Sequence, residues 1–345
     1  MILFSFTISL IITVLLSATK RYHMALLYGH HAGPQQLHSG YVPRLGGIAI
    51  GGALLAGLML AEAETQQIFF GLLIASVPVF LAGLAEDITA RISANIRLII
   101  TLMTGVLFVL INDTSITHIN IDRIDWLLQI GWISMGVTVL AIATLTNAVN
   151  IIDGLNGLSI GTSIIMVGTI GLIAGNSGDS QLFLIAMICV ASLLGCFVIN
   201  FPFGRIFAGD GGAYLMGALV AMLSILLSER NAGISPFASL IIIFYPFYEL
   251  VRSTVRRRLA GRKTMAPDKR HLHSLIYAFI ARHSRLAPQL SNSVSAILSW
   301  SLPLFCALVA MSDPANSKRL FGGVIITIIL YELANLWLKR QIRRR

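Results

Sequence analysis

The chain has 345 residues, of which 56% are hydrophobic and only 12% are charged, and its mean hydropathy is +0.82. About 25% of the residues of a soluble domain are charged, so a soluble fold is excluded, because this chain could not cover its surface with polar groups. The formal net charge of +10 does not indicate nucleic-acid binding, since no segment resembles a nucleic-acid recognition module, and we expect no nucleic-acid partner.

Eleven apolar stretches are candidates for membrane-spanning helices, each of which needs about 20 predominantly apolar residues. They cover residues 1–19, 45–61, 65–85, 96–112, 126–148, 155–175, 181–200, 211–228, 234–251, 292–311 and 320–338. They are rich in Leu, Ile, Ala, Val and Gly and lack the alternating pattern of a lipid-facing barrel. The sequence therefore predicts an all-α, polytopic integral membrane protein that forms a single domain over 1–345.

Two of these stretches are marked by a charged residue. Arg97 flanks the stretch 96–112, and its long side chain could reach the membrane interface. Glu332 interrupts the stretch 320–338, where an acid in contact with hydrocarbon would be costly. The pattern of apolar residues alone defines these two spans less sharply than the others.

Lysine and arginine are distributed unequally between the two predicted sides of the membrane. With the N-terminus outside, 21 of the 25 basic residues lie in inner loops or in the C-terminal tail. Cytoplasmic loops carry such an excess, so we predict a cytoplasmic C-terminus, with attraction to anionic membrane lipids as a second use of the charge. The basic loop 252–291 has apolar spacing after Pro267 that predicts a short amphipathic helix at the interface.

Polar motifs are concentrated at the inner ends of the predicted spans. Four of the 15 acidic residues lie there: Glu86, Asp87, Asp153 and Asp210. Because ionisable residues near hydrocarbon are costly, they usually mark functional sites. The motifs are HSGYVPRLGG (38–47), GLAEDITARISANIR (83–97), NAVNIIDGLNGL (147–158), FPFGRIFAGDGGAYLMG (201–217) and DKRHLHSLIY (268–277).

The adjacent acids Glu86 and Asp87 close the third predicted span. Two carboxylates side by side suit a metal site or a general base, and the alternative is a solvated helix end. Neighbouring side chains on a helix diverge by about 100°, so the two cannot take equivalent places. We expect one to face the reaction centre and the other to act through its charge or by orienting a basic partner such as Arg97.

Four polar residues recur at three-residue steps in the third motif, namely Asn147, Asn150, Asp153 and Asn156. The first three would share one face of a helix, because three residues bring a side chain almost back to the same side. The alternative is a capped helix break, since Asn and Asp favour such positions. A cap alone does not explain three polar residues that face one way, and we predict a polar binding stripe.

Asp210 lies between Gly209 and Gly211, just before the eighth predicted span. Glycines allow backbone amides to approach an anion, a helix N-terminus favours negative charge, and an aspartate can hold Mg²⁺. The alternative is an aspartate that caps the following helix.

His271 and His273 follow two basic residues in the last motif. Two residues apart on a helix, their side chains would point in different directions, which disfavours a shared metal. Hydrogen bonding to phosphate or sugar suits them better.

In this order the five motifs resemble those of the polyprenyl-phosphate N-acetylhexosamine-1-phosphate transferases of glycosyltransferase family 4, from about His38 to about Tyr277. The resemblance implies transfer of a sugar-1-phosphate from a UDP-N-acetylhexosamine to undecaprenyl phosphate, with release of UMP. It also implies Mg²⁺ as cofactor, with Mn²⁺ as a substitute, and an active site on the cytoplasmic side of the bacterial inner membrane. The reaction would be the first membrane step of a surface polysaccharide such as O-antigen or enterobacterial common antigen.

The resemblance implies a role for each candidate residue. Asp210 is implied as the principal metal ligand, with Asp153 as a second. Glu86 and Asp87 are implied to lie near the attacking phosphate, and all four carboxylates to be catalytic. The residues implied to bind substrate are Arg44, Arg97, Asn147, Asn150, Asn156, Gly209, Gly211, His271 and His273.

The chain departs from the family pattern at two positions. The acidic pair of the family is usually Asp-Asp, but here its first member is Glu86. The third motif often reads DGxDG, but here Asn156 replaces the second aspartate. Glu86 keeps the charge on a longer arm, whereas Asn156 cannot serve as a charged ligand or base.

Four other functions are compatible with a polytopic chain. The peptidoglycan translocase I type has a longer histidine-rich loop than HLHS, and a CDP-alcohol phosphotransferase has an aspartate pattern that is absent here. A transporter would place its charges near the midplane at broken helices rather than at one face. A catalytically inactive scaffold remains open, as does a homodimer.

Overall fold

The structure is a computed structural model that describes residues 1–22, 42–261 and 270–343. Within these ranges the regular elements are α-helices, and the described residues contain no strand. The helices are α1 (Ile2–Ala18), α2 (Gly46–Met59), α3 (Ala63–Thr89), α4 (Ala94–Asn112), α5 (Asp122–Leu128), α6 (Gly131–Ile151), α7 (Leu158–Asn176), α8 (Ser180–Asn200), α9 (Gly209–Arg230), α10 (Pro236–Ile242), α11 (Phe244–Leu259), α12 (Leu272–His283), α13 (Pro288–Ser299), α14 (Ser301–Ser312) and α15 (Ser317–Arg343).

Eight spans among the described residues are long and apolar enough to cross a membrane: α3, α4, α6, α7, α8, α9, α13 together with α14, and α15. The pair α10 and α11, bent by 71°, makes a ninth if it is counted as one span. The all-α, polytopic prediction is therefore confirmed. The predicted number of eleven is reached only if α1 and α2 are included, and these apolar helices are shorter, with 17 and 14 residues.

The predicted span 126–148 begins too early. Asp125 accepts hydrogen bonds from the backbone amides of Ile119 at 2.6 Å and Ile121 at 3.1 Å. These two bonds hold the preceding loop against the short helix α5, and the long helix α6 starts only at Gly131.

The helix α9 lies at the centre of the bundle, where its whole 18-residue apolar window is buried by protein. Its sequence is apolar on every side, as expected of a helix without a solvent or lipid face. Small residues allow its neighbours to approach: a β-carbon at Gly217 would lie 2.7 Å from Cα of Thr146 on α6. Close backbone packing of this kind is typical of helices in membranes.

The N-terminus of α9 meets the C-terminal end of α3. A β-carbon at Gly83 would lie 2.5 Å from the backbone nitrogen of Gly211 and 2.6 Å from the carbonyl oxygen of Asp210. Only glycine fits such a contact, because any side chain would push the two helices apart. This contact brings the second and fourth polar motifs together.

The basic loop contains the helix α12, as the spacing of its apolar residues predicts. The starting point of that prediction, Pro267, lies outside the described residues, as do residues 38–41 of the first motif.

The acid that interrupts the last predicted span is compensated: Glu332 pairs with Arg252 of α11 at 2.5 and 2.9 Å and accepts a hydrogen bond from Tyr248 at 3.0 Å. A paired and hydrogen-bonded acid is tolerated in a membrane helix.

Candidate active site

Asp210 is held by three side chains from three distant segments. Its Oδ1 accepts from Nη2 of Arg44 at 2.9 Å and from Nδ2 of Asn150 at 3.3 Å, and its Oδ2 accepts from Nη1 of Arg97 at 3.1 Å. Arg44 precedes α2, Arg97 lies in the first turn of α4, and Asn150 lies in the last turn of α6. The sequence prediction that these motifs share one end of the bundle matches this geometry.

Asp87 lies beneath Asp210 and is almost fully buried, with 2% of its surface exposed. Its Oδ1 and Oδ2 accept hydrogen bonds from the backbone amides of Asp210 and Gly211, each at 2.9 Å, and Nε of Arg44 lies 3.1 Å from Oδ1. Gly209 has a φ of +73°, and a β-carbon there would lie 2.5 Å from Oδ2 of Asp87. The backbone can reach this carboxylate only without a side chain at that position.

One expectation about this turn needs correction, and the alternative interpretation of Asp210 as a helix cap is wrong. The amides at the start of α9 were expected to face a bound anion, but the anion that two of them meet is the protein's own Asp87. Asp210 does not cap the helix either, because Ala208 occupies the N-cap position and has no side-chain cap. The charge of Asp87 at this helix end stabilises the turn through the helix dipole.

Glu86 faces away from Asp87, as adjacency on a helix requires. Its Oε2 accepts from the backbone amide of Ile92 at 2.7 Å, and its Oε1 lies 3.6 Å from Nη1 of Arg97. Its side chain is 19% exposed, against 2% for Asp87. Of the acidic pair, Glu86 is therefore the member that a ligand can reach.

The charge of Arg44 is supported by its two acidic neighbours. Burial alone would lower the pKa of this guanidinium, but the charges of Asp210 and Asp87 outweigh it and raise the pKa above its usual value. Arg44 thus stays cationic and balances part of the negative charge of the cluster.

Asp153 lies beside the cluster in the turn between α6 and α7 and accepts a hydrogen bond from Oγ of Ser159. Burial raises its pKa to about 6, while the bond from Ser159 and the charge of Arg44 act in the opposite direction. Ser159 was not anticipated from the sequence, because a serine in an apolar run carries no functional signal.

Two members of the predicted stripe are not part of this cluster. Asn147 donates to Oγ1 of Thr101 at 3.2 Å and to the carbonyl of Ala143 at 2.8 Å, and so joins α6 to α4. Asn156 is buried and donates from its side chain to the carbonyl of Pro202 at 2.9 Å. Of the three asparagines, only Asn150 contacts Asp210 in the described part of the chain.

His271 and His273 do not point apart as expected. The expectation assumed that both lie on a helix, but α12 begins at Leu272 and His271 is its N-cap residue. The two rings stack with centroids 5.5 Å apart and planes 1° from parallel. Burial lowers the pKa of His273 to about 4, so this ring is neutral at pH 7.

Glu249 lies on α11, is 1% exposed and was not predicted from the sequence as a site residue. Its Oε2 lies 2.9 Å from Nδ1 of His271, and its Oε1 accepts from the backbone amide of Leu272 at 2.7 Å. A signal was present, since Glu249 is an acid at the end of an apolar stretch, and such acids usually have a specific partner.

The oxygen donors of this cluster fit a divalent cation in kind. Asp210 and Asp153 offer carboxylates and Asn150 an amide oxygen, the hard ligands that Mg²⁺ prefers. No group of three His, Cys, Asp or Glu side chains in the described ranges could hold a metal by itself. Mg²⁺ often takes only one or two carboxylates and completes its shell with substrate phosphates and water, so the residues present fit such a shared site.

Clustered carboxylates, guanidinium groups and amides lie at one end of a helical bundle, and this defines the class: a polytopic membrane protein with a charged polar cluster at one end. The sequence model of glycosyl transferase family 4 matches residues 69–228, which include the acidic pair, the asparagine stripe and Asp210. Over these residues the chain is similar to glycosyl transferase family 4.

Curated relatives cover most of the chain. The probable undecaprenyl-phosphate N-acetylglucosaminyl 1-phosphate transferase of Bacillus subtilis (strain 168) is 29% identical over 280 residues, which are 79% of this chain and 78% of the relative. The undecaprenyl-phosphate alpha-N-acetylglucosaminyl 1-phosphate transferases of Yersinia pestis and Escherichia coli (strain K12) are 25% and 26% identical. Each covers 76% of this chain, and the matches span 73% and 74% of those relatives.

Proposed function

We propose that this protein transfers an N-acetylhexosamine-1-phosphate from a UDP-sugar to undecaprenyl phosphate and releases UMP. The observation that carries the proposal is the convergence of Arg44, Arg97 and Asn150 on Asp210 at the buried start of α9. Such a cluster offers both cationic groups for phosphate oxygens and an acid for a cation. The names of the relatives from three bacteria supply the substrate class.

In the proposed reaction, an oxygen of undecaprenyl phosphate attacks the β-phosphorus of the UDP-sugar. The bond between that phosphorus and the bridging oxygen breaks, and its electron pair leaves with UMP. No water is consumed, and the product is a lipid diphosphate that carries the sugar. Phosphoryl transfer of this kind depends mainly on positioning and on charge stabilisation.

Asp210 and Asp153 would hold Mg²⁺ together with the diphosphate. When bound, the cation would neutralise phosphate charge as it develops. In the structure both oxygens of Asp210 accept hydrogen bonds from arginine or asparagine. Arg44 and Arg97 would therefore have phosphate oxygens as new partners when Asp210 turns to a cation.

The acidic pair would have separate duties. Asp87 fixes the turn that carries Asp210, because both its oxygens bind backbone amides of that turn. Glu86, the more exposed acid, would lie on the side of the attacking phosphate with Arg97. A phosphate monoester is largely ionised near neutral pH, since its second pKa is about 6, so the placement of charge matters more here than a strong base.

The site would face the cytoplasm of a bacterium, with the N-terminus outside the inner membrane. The support is the charge distribution, with 21 of 25 basic residues on the predicted inner side. We further propose that the product begins a surface polysaccharide, because the relatives are named as N-acetylglucosaminyl 1-phosphate transferases.

The test is UMP release by purified protein in detergent with undecaprenyl phosphate, Mg²⁺ and a panel of UDP-sugars. We expect UMP with a UDP-N-acetylhexosamine, no UMP without the lipid phosphate, and loss of activity when EDTA removes divalent cations. Asp122→Asn is a matched control, because Asp122 is exposed and lies outside the cluster, in the first turn of α5. Release of CMP from a CDP-alcohol, or no nucleotide release with any donor, would refute the proposal.

A further inference from the structure

The carboxylate of Glu249 is buried beneath the histidine pair. Both of its oxygens are engaged, one with Nδ1 of His271 at 2.9 Å and the other with the amide of Leu272 at 2.7 Å. A buried carboxylate is costly unless it is fully hydrogen-bonded. An apolar residue could anchor α12 at a lower cost in desolvation. Anchoring alone therefore does not explain a carboxylate at this position.

The bond to His271 determines which ring nitrogen carries the proton. A carboxylate only accepts hydrogen bonds, so Nδ1 of His271 must be the donor. Nε2 is then the nitrogen that remains for a ligand, and the ring cannot rotate without breaking its bond to Glu249. A carboxylate behind a functional histidine commonly sets its tautomer and orientation in this way.

His273 connects this pair to the motif that contains Asp153. Its ring lies parallel to that of His271, and a β-carbon at Gly154 would come 3.0 Å from its Nε2. Its Nδ1 is buried without a hydrogen-bond partner in the described part of the chain. Orientation of His271 by Glu249 therefore extends, through the stacked rings, to the turn that follows Asp153.

The surroundings hold the three residues firmly in place. Tyr245, Leu272 and Tyr331 are buried in one apolar cluster, which also contains Ile152, the neighbour of Asp153. This apolar cluster thus links α11, α12, α15 and the turn after α6. Leu272, which lies between the two histidines in the sequence, anchors the start of α12 in this cluster.

We propose that Glu249 is a positioning residue that fixes the tautomer and orientation of His271 for the nucleotide-sugar donor. The inference rests on the proposed function for its substrate. Glu249 does not contact substrate itself and acts through His271. A purely structural anchor for α12 is the competing role, and the two roles differ in what they do to the kinetic constants.

The kinetic test compares Glu249→Gln, Glu249→Asp and the parent. Glutamine can still accept from Leu272, but its amide NH₂ would meet Nδ1 of His271 and favour the other tautomer. We expect KM for the UDP-sugar to rise about 10-fold or more, with KM for undecaprenyl phosphate unchanged. Glu249→Asp keeps an acceptor and should give a KM between the two. Loss of a structural anchor would lower the active fraction, and hence kcat, and would leave both KM values unchanged, which would overturn the inference.

A second measurement tests whether Glu249 acts through His271. In a His271→Gln background, Glu249→Gln should cause no further rise in the donor KM, because the effects of two residues that act as a unit do not add. Additive effects would contradict the inference.

The tautomer itself can be observed without turnover. NMR of protein with isotope-labelled histidine, with the His271 signal identified by its absence in His271→Gln, should show the proton on Nδ1 in the parent and on Nε2 in Glu249→Gln. The same tautomer in both would refute the inference even if the parent released no UMP, whereas an inactive parent with the expected tautomers would refute only the proposed substrate.

Discussion

Asp87 accepts a hydrogen bond from the backbone amide of Asp210 at 2.9 Å, across 123 positions of sequence. One acid thus fixes the backbone that carries the other. A second bond from the amide of Gly211 to the same carboxylate makes the contact rigid. Asp87, which the sequence places near the attacking phosphate, therefore holds in position Asp210, the proposed metal ligand.

The first prediction separates these two acids. Asp87→Asn replaces one acceptor oxygen with an NH₂ group that faces a backbone amide, so a buried bond is lost. We expect this variant to lose about 1–3 kcal/mol of stability as well as activity. Asp210→Asn should change stability less, because its side chain is partly exposed and Arg44 keeps Asp87 as a partner.

We expect Asp210→Asn to lose more activity than stability. For Asp210→Asn we expect UMP release to fall about 100-fold or more, as when a preorganised charge is removed from an active site. The measurements are thermal unfolding in detergent and UMP release, with Asp122→Asn as the control. A fully active Asp210→Asn, or one that is less stable than Asp87→Asn, would contradict the assignment.

The second prediction concerns the glutamate that replaces the usual first aspartate of the pair. Glu86→Gln can still accept from Ile92 but loses the charge beside Arg97, whereas Glu86→Asp keeps the charge on a shorter arm. We expect Glu86→Asp to retain substantial activity and Glu86→Gln to lose most of it. UMP release at saturating substrates measures both. Equal activity of Glu86→Gln and the parent would show that this acid is only a solvated helix end.

Part of the fold and of the site could be predicted from the sequence. Apolar runs long enough for a bilayer are visible directly, because hydrocarbon leaves no alternative to helices. Asp210, Asn150 and Arg97 could be grouped because all three lie at span ends on one predicted side. Helix packing brings Asn150 and Arg97 within hydrogen-bonding distance of Asp210.

The remaining features depend on contacts between distant segments. That two amides of α9 bind Asp87, rather than a ligand, follows from the packing of Gly83 against Gly211. The direction of Asn147 depends on the presence of Thr101 on α4. The stacked histidines depend on the start of α12 at Leu272, a boundary that the sequence alone does not define.

The third prediction concerns pH. Burial lowers the pKa of His273 to about 4 from 6.5, so between these values the unfolded chain binds a proton that the folded protein does not. The contribution of the neutral His273 ring to the free energy of unfolding is therefore fully present above pH 6.5 and is lost as pH falls towards 4. The shift corresponds to at most about 3 kcal/mol. The unfolding temperature should be lower at about pH 5 than at about pH 7. This decrease should be smaller in His273→Gln than in the parent. In the control His118→Gln, which lies away from the cluster near Glu229, the full decrease should persist.

The fourth prediction concerns topology. Because most basic residues lie on the predicted inner side, we predict that the C-terminus is in the cytoplasm. A reporter that is active only in the cytoplasm, fused after the last residue, should be active. A well-inserted but inactive fusion would reverse the topology and would place the cluster around Asp210 on the outer face, where no UDP-sugar is supplied.

The last prediction tests the glycine contact that brings the two acidic motifs together. In Gly83→Ala, the new methyl group would lie 2.5 Å from the nitrogen of Gly211 and 2.6 Å from the carbonyl oxygen of Asp210. Backbone atoms cannot move aside as a flexible side chain can, so α3 and the start of α9 must separate. Overpacking of this kind costs about 1–3 kcal/mol, and the hydrogen bonds from α9 to Asp87 would lengthen. Gly136→Ala is the matched control, because nothing lies within 4 Å of a β-carbon there and alanine favours a helix. We expect Gly83→Ala to lower both the unfolding temperature and UMP release and Gly136→Ala to preserve both. If Gly83→Ala kept the stability and turnover of the parent, the close approach of α3 to α9 would not be what holds Asp210 in place.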